Sequence, residues 1–141
     1  MSKYFNLEEF LDSSVARQKG ISNSPSWEIV EHLRELAAFL DGMRASWGSG
    51  IKITSGFRCE KLNKAVGGVS NSAHRFGDAA DLQPVNGDFA GFVKFVKNYL
   101  QDKNFDECLI EKSKTSQWVH LALRYNNTTL QRRKVGNLTV K

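Results

Sequence analysis

The chain has 141 residues, of which 40% are hydrophobic. That length allows one compact domain with a sizeable core and is too short for two full ones, so we expect a single domain over residues 1–141. No run of eighteen apolar residues occurs, and the opening MSKYFNLEEF lacks the basic start and apolar stretch of a secretory signal. The sequence therefore predicts a protein with no transmembrane segment and no signal peptide, cytoplasmic until it is released.

A formal net charge of +5 favours an anionic partner, such as nucleic acid, an acidic membrane surface or an anionic wall polymer. Much of the excess lies late in the chain, where no acidic residue follows Glu111 and the basic residues include Arg124, Arg132, Arg133, Lys134 and Lys141. We interpret this basic tail as a solvated face and expect no nucleic-acid partner. Nucleic-acid binding through the tail is the weaker alternative.

Cys59 and Cys108 lack the close spacing of a zinc knuckle or a redox motif, and two cysteines are too few for a disulfide scaffold. We expect free thiols. A disulfide is the alternative outside the cell, provided that the two residues lie close enough.

Helical signals dominate residues 1–45. Asn6 followed by Glu9 is typical of a helix N-cap, and the apolar pattern after it predicts a short helix from Leu7 to Gly20. Ser24-Pro25 predicts a second start, because proline suits the first helical position. The longer helix after it has apolar residues at three- and four-residue steps: Trp27, Val30, Leu33, Leu36, Ala37 and Leu40.

Strands and one further helix make up the rest of the chain. Residues 51–54 alternate and are rich in β-branched side chains, which predicts a strand. An amphipathic helix over 89–100 precedes two strand-like segments, 107–111 and 118–123, and the tail over 126–141 is expected to add a strand or two. We therefore expect an α+β domain in which a mainly antiparallel sheet is flanked by helices.

Three residues have side chains of the kind that bind metals. His74 and Asp81 lie in the polar, glycine-rich segment 67–81, which we interpret as a shaped loop that enters a strand. His120 lies within the otherwise apolar segment 118–123, where a buried polar group needs a partner, either a hydrogen bond in the core or a metal. Two imidazoles and one carboxylate are a typical ligand set of catalytic zinc, which leaves a fourth position to water.

The same residues resemble the motif of the M15 peptidases, which include D-alanyl-D-alanine carboxypeptidases and dipeptidases and phage endolysin peptidases. Two segments carry the motif: Ser72-x-His74-x-x-Gly77-x-Ala79-x-Asp81 and Trp118-x-His120. The segment 55–58, Ser-Gly-Phe-Arg, is similar to the family's Ser-Gly-Tyr-Arg, and the opening residues resemble its phage-type branch. The resemblance covers about residues 4–125.

The resemblance implies a small α+β zinc fold shared with the hedgehog signalling domain, with the zinc-site core over 51–125. It implies that His74, Asp81 and His120 bind one Zn²⁺ ion. It also implies a metallopeptidase that hydrolyses stem peptides of bacterial peptidoglycan, as a D,D-carboxypeptidase or as an endopeptidase. We expect a monomer that acts at the cell wall, as a phage lysin or a virion-associated enzyme would.

The general base is not given by the motif. Many relatives have an acid three residues before the final histidine, but here that residue is Gln117, which cannot accept a proton at neutral pH. If 107–111 and 118–123 form a hairpin with a six-residue loop, Glu111 pairs with Trp118 and shares a face with His120, about 7–8 Å away. We therefore predict Glu111 as the general base.

A loop of odd length would reverse the facing of the hairpin, and Asp78 or Glu107 would then become the candidate base. Glu111 would in that case be a solvent-facing charge. A second hypothesis for the function, kept open by Gln117, is a zinc-containing module that binds the cell wall without catalysis.

Three further residues are candidates for contact with substrate. The resemblance places Arg58 in the active site, where its guanidinium suits a developing oxyanion or a substrate carboxylate. Ser72 either binds substrate or shapes the loop before His74. Trp118 alternates onto the same face as His120, and there it either lines the pocket or packs against its neighbours.

Overall fold

The computed structural model describes residues 1–140 as five α-helices, five strands and two short 3₁₀ turns. The helices are α1 Leu7–Leu11, α2 Ser14–Lys19, α3 Trp27–Trp47, α4 Glu60–Ala65 and α5 Phe89–Tyr99. The strands are β1 Ile51–Ser55, β2 Ala79–Pro84, β3 Glu107–Lys112, β4 Gln117–Ala122 and β5 Lys134–Thr139. The 3₁₀ turns are Ala73–Phe76 and Leu100–Asp102. No helix among residues 1–140 is long and apolar enough to cross a membrane.

The N-terminal helices differ from the prediction in their bounds. Asn6 and Glu9 form the predicted capping box, but the helix ends after Leu11, because the Ser13 hydroxyl accepts a hydrogen bond from the Ala16 N–H and starts α2. The single helix expected over 7–20 was therefore wrong. The long helix begins at Trp27 rather than at Pro25, because Ser26 is its N-cap.

One five-stranded sheet runs in the order β1-β2-β4-β3-β5. The first three pairings are antiparallel, as predicted, and β5 pairs with β3 in parallel. The predicted hairpin register is confirmed, because Glu111 lies opposite Trp118 and Leu109 opposite His120. The tail contributes one strand, and α4 was not predicted. The prediction of a mainly antiparallel α+β domain is confirmed.

The core lies between the sheet and helices α3 and α5. Its largest fully buried apolar side chains include Phe10, Leu33, Leu36, Leu40, Leu82, Phe92 and Leu121. Trp27 does not belong to it, because 71% of its surface is exposed, although the helical stripe had included it. Cys59 and Cys108 are free thiols, as expected.

The alternation of side chains along the central strands determines which of them point away from this core. Val119 and Leu121 of β4 pack in it, so the side chain of His120 points to the opposite face of the sheet. Ala80 and Leu82 of β2 likewise pack in the core on either side of Asp81. The fold thus directs polar residues of two adjacent strands to one side.

Candidate metal centre

His74, Asp81 and His120 come together in a buried cluster, and one possible ligand atom from each lies within 4.8 Å of the others. Asp81 and His120 are direct cross-strand partners of β2 and β4. The Asp81 Oδ1 atom lies 3.2 Å from His74 Nε2 and 3.1 Å from His120 Nδ1. The structure therefore brings His120, from a distant part of the chain, to His74 and Asp81.

His74 reaches this cluster from the 3₁₀ turn that precedes β2. The hydroxyl of Ser72 accepts a hydrogen bond from the His74 N–H and so caps the turn. Gly77 ends the turn with φ +74°, where a Cβ atom would lie 2.9 Å from the carbonyl oxygen of Ile29 in α3. Glycine is required there by both backbone angle and space.

In each histidine ring, the nitrogen that faces away from the cluster also contacts an acceptor oxygen. The Nδ1–H of His74 donates to the carbonyl of Gly56 at 2.7 Å, which leaves the Nε2 lone pair directed at the cluster. In His120 the nitrogen directed at the cluster is Nδ1, which faces Asp81. Its Nε2 lies 3.4 Å from Glu107 Oε1. Two imidazole nitrogens and a carboxylate oxygen that converge in this way are chemically suited to hold zinc.

The electrostatics of the cluster depend on burial and on these contacts. Burial lowers the pKa of His74, although Asp81 opposes the effect. Burial would raise the pKa of Asp81, but the two histidines outweigh it and hold that pKa well below its usual range. Burial would lower the pKa of His120, but its hydrogen bonds to Asp81 and Glu107 raise it to about 10. Without a metal, both ring nitrogens of His120 therefore carry a proton at neutral pH.

Glu111 lies beside this cluster on the predicted face. Its Oε1 accepts a 2.7 Å hydrogen bond from the Trp118 indole. Burial raises the pKa of Glu111, and its charge interacts with those of His120 and Asp81. A carboxylate of raised pKa beside a potential metal site has the properties of a general base.

The two alternative candidates for the general base, Asp78 and Glu107, have other contacts than Glu111. Asp78 is fully buried away from the cluster, where its Oδ1 lies 2.7 Å from Arg124 Nη1 and 3.1 Å from His32 Nδ1. Glu107 does share the face of Glu111, because the two residues are four apart on β3, so the idea that Glu107 required a reversed register was wrong. Its carboxylate contacts the ring nitrogen of His120 that faces away from Asp81.

Arg58 is half-buried near the candidate ligands. Its backbone N–H donates to the His74 carbonyl at 3.0 Å, and its Nη2 donates to the Ser72 hydroxyl at 3.4 Å. Its Nε is buried and finds no hydrogen-bond partner within residues 1–140. Burial lowers the Arg58 pKa, while Asp81 and Glu111 oppose that effect. A half-buried guanidinium with a spare donor can bind an anionic group.

Sequence reasoning missed the two acceptors behind the histidine rings, the Gly56 carbonyl and the Glu107 carboxylate. The signal for Glu107 was present in the hairpin register. Residues 107 and 111 flank Leu109, which pairs with His120, so both are diagonal neighbours of that histidine. No sequence signal identifies a backbone carbonyl as a partner.

Comparison with known proteins adds one family match. A family model described as Peptidase M15 matches residues 3–122, which includes all the candidate site residues and ends before β5. Among curated proteins, none matches the chain.

Proposed function

Because the chain belongs to the M15 peptidase family, whose members hydrolyse peptide bonds, we propose that it is a zinc-dependent peptidase acting on the stem peptides of bacterial peptidoglycan. The observation that carries the proposal is the convergence of His74, Asp81 and His120 beside the half-buried carboxylate of Glu111. M15 peptidases are generally zinc-dependent, which agrees with this donor set.

In this proposal His74 contributes Nε2, Asp81 contributes Oδ1 and His120 contributes Nδ1 to the metal. When bound, zinc supplies a Lewis acid for the scissile carbonyl and lowers the pKa of a water molecule towards neutrality. The hydrogen bond from His74 to Gly56 keeps the ligand nitrogen of that ring free of a proton.

Glu111 is the general base of the proposed reaction. Its ionised carboxylate takes a proton from the attacking water and passes it to the leaving amine, which leaves poorly without one. The Trp118 indole holds one carboxylate oxygen at 2.7 Å and leaves the other free for this transfer.

Arg58 binds the negative charge of the substrate. Its guanidinium interacts electrostatically with Asp81 and Glu111, which supports a role in binding a developing oxyanion or a terminal carboxylate. Ser72 holds Arg58 and the His74 turn at the same time, which supports a positioning role for its hydroxyl.

A wall-binding module without catalysis is the second candidate, since Gln117 stands where many relatives have an acid. Incubation of the zinc-loaded protein with purified peptidoglycan separates the two. The peptidase releases new amino groups with time, and a chelator stops the release. A binding module would sediment with the wall material and release none.

Binding of nucleic acid through the basic tail is not favoured, because most of the cations there have partners inside the protein. Arg124 pairs with Asp78 and Glu35, and Arg132 pairs with Asp106. The guanidinium of Arg133 donates to backbone carbonyls of residues 100, 101 and 103.

A further inference from the structure

Glu107 has no part in the proposed proton transfer, yet its carboxylate lies between the candidate metal centre and the C-terminal strand. Its Oε1 is 3.4 Å from His120 Nε2. Its Oε2 is 3.7 Å from Arg132 Nη2 and 3.6 Å from Lys134 Nζ. One half-buried carboxylate therefore connects a possible zinc ligand to two cations of β5 and the residues before it.

The C-terminal strand is fixed firmly enough to hold such a carboxylate. The Arg132 guanidinium binds both oxygens of the buried Asp106 at 2.9 Å, and its backbone N–H donates to the same side chain at 3.0 Å. β5 pairs with β3 from Glu107 to Lys112, so Lys134 lies directly opposite Glu107. This segment lies outside residues 3–122, which the family model matches.

We propose that Glu107 is a positioning residue for His120, and that the C-terminal strand holds Glu107 in place through Arg132 and Lys134. The inference rests on the zinc site of the proposed function. Glu107 accepts the Nε2–H of His120, which fixes the tautomer and the ring angle in which Nδ1 faces Asp81. Acceptors of this kind behind a ligating histidine typically change metal affinity by about 10- to 100-fold.

The two cations serve to keep the carboxylate on the ring. Glutamate has three rotatable side-chain bonds and loses rotamer freedom when it is ordered. Lys134 and Arg132 offset that loss by holding Oε2, which turns Oε1 towards His120. In this proposal, Arg132 and Lys134 of the tail support the metal site rather than forming a solvated basic face.

Zinc affinity, measured by competition with a chromogenic chelator, tests this directly. We expect Glu107→Ala to bind zinc about 10- to 100-fold more weakly, and Glu107→Gln, which keeps an acceptor oxygen, to recover most of that loss. Lys134→Met should weaken zinc binding by a smaller factor, and this effect should vanish in the Glu107→Ala background. Lys112→Met, an exposed lysine at the other end of β3, is the matched control and should bind zinc as the parent does.

A second readout separates positioning from general loosening of the fold. In the zinc-loaded protein, the His120 Nε2–H signal in NMR spectra should be protected from solvent exchange, and Glu107→Ala should abolish that protection. If Glu107→Ala does not fold, Lys134→Met carries the test. Unchanged zinc affinity and an unchanged Nε2–H signal in folded Glu107→Ala, or unchanged zinc affinity in Lys134→Met where Glu107→Ala does not fold, would overturn the inference.

Failure of this inference is distinguishable from failure of the proposed function. A parent protein that binds no zinc contradicts the proposed function itself. A parent that binds zinc and cleaves peptide, with Glu107→Ala equally tight for zinc, contradicts only the role of Glu107.

Discussion

The indole N–H of Trp118 donates a 2.7 Å hydrogen bond to the carboxylate of Glu111 across the β3–β4 pair. The two side chains lie on the face of the sheet that carries Asp81 and His120. We therefore propose that Trp118 orients Glu111, whereas the sequence left open whether Trp118 lines the pocket or packs against its neighbours.

Replacement of Glu111 by glutamine tests the general base. We expect Glu111→Gln to lower kcat/KM on stem peptides by roughly 10²- to 10⁴-fold, because a positioned base contributes about that much. Zinc content, measured by atomic absorption, should not change, since Glu111 is not among the clustered ligands. Glu28→Gln, an exposed residue at the start of α3, is the control. Near-normal activity of Glu111→Gln would remove Glu111 from the mechanism.

The pH dependence of activity should respond to Trp118. Burial is the largest influence on Glu111 and raises its pKa, while the hydrogen bond from Trp118 lowers it. Trp118→Phe removes the lowering contribution, so the Glu111 pKa rises, and the base ionises only at higher pH. The acid limb of the kcat/KM profile should therefore move to higher pH, whereas Trp27→Phe, at an exposed position, leaves it in place. A shift to lower pH would contradict the assignment.

Zinc uptake should release one proton per protein at pH 7. His120 has a pKa raised to about 10 by Asp81 and Glu107, so the metal-free ring is protonated at neutral pH. Because the pKa values of His74 and Asp81 are lowered, the ligand atoms of both residues carry no proton at pH 7 that zinc would displace. Calorimetry in buffers of different ionisation enthalpy measures the number released. Release of no proton would show that His120 is neutral before zinc binds.

Asp78 should matter for stability rather than chemistry. It is fully buried and pairs with Arg124 and His32, which joins the start of β2 to α3 and to the end of β4. Asp78→Ala leaves Arg124 with the exposed Glu35 as its acidic partner, and we expect a loss on the order of 1–3 kcal/mol in the free energy of unfolding. Urea unfolding at pH 7 measures it. Asp102→Ala, at an exposed ion pair with Lys103, should leave the midpoint unchanged.

The register of the site could be predicted because strands alternate strictly. With a loop of even length between the two strands, Glu111 pairs with Trp118. Alternation then places Glu111, Trp118 and His120 on the same face of the sheet. The grouping of His74 with Asp81 was harder, because spacing alone does not bring a loop residue and a strand residue together. The family motif supplied that link.

What could not be predicted depended on contacts distant in sequence or on weak local signals. The parallel pairing of β5 is accompanied by the contact of Arg132 with Asp106, and no local pattern shows either. Helix α4 is six residues long and has a cysteine as its N-cap, so it lacked a usual start signal. The choice of Nδ1 in His120 and Nε2 in His74 follows from partners behind each ring, which only the folded chain defines.

Whether the protein is a zinc-dependent peptidase of the cell wall is decided by mass spectrometry of peptidoglycan stem peptides digested with the zinc-loaded protein. We expect products of one defined peptide-bond cleavage, no products after treatment with a chelator, and recovery when zinc is returned. The masses also show whether a terminal D-alanine or an internal bond is cut. Intact peptides from a folded, zinc-loaded protein, or cleavage that continues in excess chelator, would contradict the claim.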